Sequence, residues 1–184
     1  MKPITIILAV LMIFVGGVAN AADKSNIYKG AKETGYVFGK IYTNMGILSA
    51  VASQCERASP KVATFFLDYR GYLLDKYASV AGTIIGVHRL LMEKRIGKEF
   101  SQGLDALSKK IRSGAYYTFK DKFLNLSFLE LNKVCSNFVK QIKAGDWDVF
   151  RLADRYFLSL KPYLPDFFEA NKNTWAEIQR MQRE

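Results

Sequence analysis

His88, Cys55 and Cys135 are the first side chains to weigh for nucleophilic, proton-transfer or metal chemistry, because the chain holds one histidine and two cysteines in all. A histidine exchanges protons near neutral pH at its ordinary pKa. His88 falls between Ile84 and Leu91, on or beside an apolar helical stripe, so its expected role is that of a partly buried structural residue. A zinc centre would need acidic ligands or both thiols beside it, and no metal-ligand spacing occurs. A reactive cysteine is disfavoured for a related reason: there is no Cys-x-x-Cys pair, and the lone histidine has no spacing signature to accompany a thiolate.

Carboxylates can work without histidine. Asp68 and Asp75 are seven residues apart and can share a helical face, with Glu56, Glu93 and Glu99 as further candidates to approach them. Hydrolysis by two carboxyls requires a controlled separation and opposite protonation behaviour, and the sequence specifies neither. The bland reading, solvated surface charge, is favoured for Asp68 and Asp75. Neither a Gly-x-Ser-x-Gly turn nor a metalloprotease helix is present. The spacing of Gly30, Gly35, Gly39 and Gly46 matches no phosphate-binding loop. The expectation is therefore a non-enzymatic protein with no cofactor and no metal, a divergent carboxylate hydrolase being the alternative.

A basic, aromatic middle region carries a stronger signal. Lys109, Lys110, Arg112, Lys120 and Lys122 stand close together, with Asp121 as the one acid among them and Tyr116, Tyr117 and Phe119 interleaved. Such a segment can hold a polyanion by charge while its rings contact an apolar or planar group. As a helix it can rest on an anionic membrane surface. The competing account sends the charges to solvent and the rings into the core. A second candidate contact is Tyr163, held between Pro162 and Pro165. Proline stiffens the chain there, and aromatic anchors often carry protein-binding energy.

The compartment follows from the first residues. Lys2 supplies a positive start, residues 4–15 form an apolar run interrupted only by Thr5, and Ala19 and Ala21 place small side chains at the −3 and −1 positions of a cleavage site. This is the order of a secretory signal, and it is shorter than the roughly 20 apolar residues of a membrane span. Residues 1–21 are read as the signal peptide and 22–184 as the mature domain, exported in the style of a bacterium and expected in the periplasm, or secreted beyond it. In such a compartment an intramolecular Cys55–Cys135 disulfide is expected. The thiols continue apolar stripes, Val37, Ile41, Leu48 and Ala52 on one side and Leu131, Phe138 and Ile142 on the other.

The elements that must position these residues all read as helical. A long helical region interrupted by its glycines runs from about residue 25 to Cys55, with Gly35 and Gly39 as candidate sites of close helix approach. Ser59-Pro60 starts a second helix, with Val62, Phe66, Tyr69, Leu73 and Tyr77 on one face and Gly71 beside them. A third, strongly buried helix from Val80 carries Ile84, Ile85, Val87, Leu90 and Leu91 and is stopped by Gly97. Phe100, Leu104, Leu107 and Ile111 follow at helical period, and residues 116–119 read equally as helix or loop. Ser127 and Glu130 form a capping box, Gly145 is a stop, Asp146 or Asp148 is a cap, and Asp166 starts a terminal helix. The fold class is all-α: one compact multi-helix domain of about five to seven helices.

The net charge of +10 favours anionic partners. The leading functional expectation is an exported protein-interaction, inhibitor or accessory factor of a bacterial envelope, its partner another envelope protein. An envelope lipid or cell-wall polymer bound by residues 109–123 is the alternative. Nucleic acid is disfavoured, since export separates the chain from it.

Overall fold

The computed structural model describes the backbone of residues 21–96 and 98–183 and the side chains of 29–93 and 103–183. The expected signal segment lies outside these residues but for Ala21, as do Gly97 and the side chains of Glu99 and Phe100. Among the described residues the fold is all helical, with no strand. The helices are α1 (Ala21–Cys55), α2 (Pro60–Tyr72), α3 (Ala78–Ile96), α4 (Lys98–Asp121), α5 (Phe128–Lys143), α6 (Val149–Leu160) and α7 (Pro165–Arg183). A π turn, Leu73–Tyr77, joins α2 to α3 without a break, so six rods make the domain.

The first rod is the axis of the fold. It packs most extensively along α4 and also meets α2, α3, α5 and α6. Val37, Ile41, Leu48, Ala52 and Cys55 are buried as their spacing predicts, and a second buried stripe of Phe38, Tyr42 and Met45 runs beside them. Burial on both stripes explains why α1 stays helical through its glycines: tertiary packing outweighs a helix-propensity loss of about 1 kcal/mol per glycine. The expected interruption does not occur. Nor do Gly35, Gly39 or Gly71 meet a neighbour, since a Cβ at any of them would find nothing within 4 Å. The close approach is at Gly46, where a Cβ would lie 2.2 Å from the Arg112 carbonyl oxygen and 2.9 Å from the Ala115 Cβ.

The second rod was expected as two helices. No proline or turn residue separates Tyr77 from Val80, so the chain continues through the π turn. The wider turn holds one extra residue, which rotates the following stripe by about 100°. Phe66 before it, Leu73 and Tyr77 at its two ends, and Val80, Ile84 and Leu91 after it are all buried. Leu90 departs from expectation and is 50% exposed: α3 turns the row holding Leu91 inward, and its neighbour one residue back points out.

Local signals place the remaining boundaries. Ser127 Oγ accepts from the Glu130 amide, and the Glu130 carboxylate accepts from the Ser127 amide at 2.9 Å, completing the capping box of α5. The Ser127 hydroxyl also donates to that carboxylate at 2.6 Å, and this bond, together with the one from the Ser127 amide, holds the Glu130 carboxyl below its ordinary pKa. Gly145, at φ 78°, closes α5, with its own amide donating to the Ile142 carbonyl and that of Asp146 to the Gln141 carbonyl. Of the two candidate caps for α6, Asp148 takes the role, accepting from the Phe150 amide at 2.8 Å. Ser59 precedes α2 without a side-chain capping bond; its amide instead donates to Asn132 Oδ1 at 2.6 Å, tying α2 to α5.

A disulfide joins Cys55 to Cys135, with Cα atoms 5.7 Å apart. Both cysteines are fully buried, and the bond fastens the end of α1 to the middle of α5.

Candidate anion-binding face

The helix α4 extends to Asp121, so residues 116–119, open between helix and loop in sequence, are helical. Its inward side is Leu104 and Ser108, both buried, with Leu107, Ile111, Ala115 and Phe119 half-buried. At 100° per residue the opposite side is centred on Lys109, Ser113 and Lys120. Lys109, Lys110 and Tyr117 are exposed there and Lys120 is half-buried, exposed Arg112 and half-buried Tyr116 lie on the flank toward the core, and exposed Lys122 follows the helix end.

The rings therefore divide. Phe119 turns inward, edge-on to Phe138 at 6.2 Å. Tyr117 is 61% exposed and meets Tyr116 edge-on at 5.3 Å. The Lys122 ammonium lies 4.4 Å from the Phe119 ring centroid and that of Lys120 lies 6.0 Å from the Tyr116 centroid. Both arrangements hold a cation against an aromatic face while leaving it accessible to an anion. α4 lies directly on α1 at Gly46, so the helix carrying the cations is packed against the core.

Other candidates are dispersed. Tyr163, in the turn between α6 and α7, is half-buried and sits against Gly30 of α1, its Cβ 3.0 Å from where a Gly30 Cβ would be; it does not join the α4 face. Asp68 on α2 and Asp75 in the π turn are exposed, and Glu56 pairs with Arg70 at 3.0 Å. His88 is buried, stacked on Phe38 with ring centroids 4.8 Å apart, and shares a 2.9 Å hydrogen bond with the Tyr156 hydroxyl. Burial lowers its pKa to about 4. Among the described residues no three His, Cys, Asp or Glu side chains gather as metal ligands, and no helix is long and apolar enough to cross a membrane.

One group escaped the sequence reading. Leu124, Phe128 and Leu129 are 62%, 63% and 79% exposed at the corner between α4 and α5. Beside them a shallow depression of about 620 Å³ is lined by Leu126, Glu130, Lys133, Val134, Asn137 and Lys140, among others. The signal was present for Leu129, which falls off the stripe formed by Leu131, Cys135, Phe138 and Ile142. The chain matches no protein-family model, and no curated protein and no solved structure is similar to it.

Proposed function

We propose that this chain is an exported, non-enzymatic binding protein of a bacterial envelope, and that its working surface is the outer face of α4, which holds an anionic partner. One observation carries the reading: Lys109, Lys110, Lys120 and Tyr117 emerge together on the side of α4 opposite its core stripe, with Arg112 and Tyr116 on its flank. Several cations on one rigid rod present a continuous positive strip, and the pre-set helix leaves little ordering cost for binding. Export rests on the charge, apolar run and small residues of 1–21. This narrows the broader expectation of an interaction, inhibitor or accessory factor to one with an acidic partner.

The test is capture from an envelope extract, comparing the native chain with Lys109→Glu/Lys110→Glu/Lys120→Glu. These positions are exposed or half-buried on the solvent side, so the variant should fold. Retention by the native chain that fades as salt rises, and loss of the same material by the variant, is the expected result. Equal retention by both would reject the α4 face. The N-terminus of the recovered protein, read by mass spectrometry, tests cleavage before Ala22.

A further inference from the structure

The geometry points to an anionic lipid bilayer as the partner, with the corner between α4 and α5 entering it as an apolar wedge. This rests on the α4 reading and extends it to a surface that α4 does not contain. Leu124, Phe128 and Leu129 are each more than three-fifths exposed, although large apolar side chains this exposed seldom cluster without a contact to make. They stand at the end of the basic face. From Lys109 to Lys133 the chain carries six cations and two acids, Asp121 and Glu130. Glu130 is engaged in the capping box with Ser127 and keeps its negative charge there, so the stretch as a whole carries a net charge of +4.

Charge and shape select the occupant. A second copy of the chain would bring its own net +10 toward the same cations and be repelled. A partner helix laid in a groove would read a stripe at i, i+3, i+4 and i+7, whereas these three side chains project from one corner. A bilayer surface needs neither stripe nor groove. Its headgroups meet the lysines while the apolar tips pass to the acyl boundary, the division of labour of interfacial anchors. The cations supply approach and salt sensitivity, and the apolar tips supply a salt-resistant remainder.

The test uses full-chain protein recovered from an exporting host and vesicles of phosphatidylglycerol with phosphatidylcholine, against phosphatidylcholine alone. Sedimentation should show binding to the anionic vesicles. The exposed-site variant Leu124→Asn/Phe128→Ser/Leu129→Asn, its fold checked by its melting curve, should bind about tenfold to a hundredfold more weakly. A Leu129→Trp variant adds a local reporter: its added emission should shift to the blue on vesicle binding, a change that segment 4–15 cannot imitate. Undiminished binding by the triple variant, or no shift at position 129, overturns the wedge. Binding to soluble polyphosphate but not to vesicles overturns the lipid assignment and leaves the α4 face standing. Binding to neither polyphosphate nor vesicles removes both.

Discussion

His88 Nδ1 and the Tyr156 hydroxyl meet at 2.9 Å across the α3–α6 interface, both side chains fully enclosed. Burial disfavours the charged form of each, so the histidine pKa falls from 6.5 to about 4 and the tyrosine pKa rises well above its ordinary value. Across the neutral range the pair is an uncharged hydrogen bond in the core.

A pH dependence follows. The unfolded chain binds a proton at His88 below pH 6.5, whereas the folded chain resists until about pH 4. The associated stability is complete above 6.5 and drains as pH falls toward 4, by a total of about 3 kcal/mol. Urea midpoints at pH 7 and pH 4.5 should differ accordingly, and His88→Gln should flatten the part of the difference due to this residue. An unchanged slope in that variant would mean that other groups govern the acid limb.

Removing the partner isolates the bond. Tyr156→Phe keeps the ring and leaves Nδ1 buried without its hydroxyl, which should cost about 1–3 kcal/mol at pH 7. Denaturant unfolding with an unchanged m-value would show that this is loss of stability rather than loss of compactness.

Gly46 sets how closely α1 and α4 approach. Because a Cβ there would lie 2.2 Å from the Arg112 carbonyl oxygen, Gly46→Ala must push backbone from backbone and should destabilise by about 1–3 kcal/mol. Gly35→Ala and Gly39→Ala meet nothing within 4 Å and should stabilise α1 by about 0.5–1 kcal/mol each. Thermal melts of the three variants should separate in opposite directions. The Gly46 variant should also weaken anion capture, since it displaces the helix that presents the cations.

The Cys55–Cys135 bridge closes a sequence separation of 80 residues, for which chain entropy gives about 4 kcal/mol of stabilisation. Melting with and without a thiol reductant should show a loss of that order. Since both cysteines are fully buried, reduction of the folded protein should be slow and should accelerate in mild urea, as opening of α5 from α1 admits the reagent.

Features encoded within a few residues of chain were legible in the sequence. The capping box at Ser127, the glycine stop at Gly145 and the stripes of α1 and α5 each depend on local hydrogen bonding or helical period. The cysteine pair was also legible, because two thiols on apolar stripes have one intramolecular partner to choose. The positive face of α4 followed from its charges, but whether Tyr117 or Phe119 would face water did not, since both stand next to the same lysines.

Tertiary structure decided what depends on a neighbour distant in sequence. Gly30 and Gly46 lie at close contacts while Gly35 and Gly39 do not, and all four look alike along the chain. Leu90 is half exposed and Leu91 buried, a choice made by the phase that the π turn hands to α3. The corner of Leu124, Phe128 and Leu129 stands open because no other rod covers it. Sequence determines what each segment can become through its own torsions and caps; which face is covered, and which stays open, is settled when the rods compete to bury apolar area against one another.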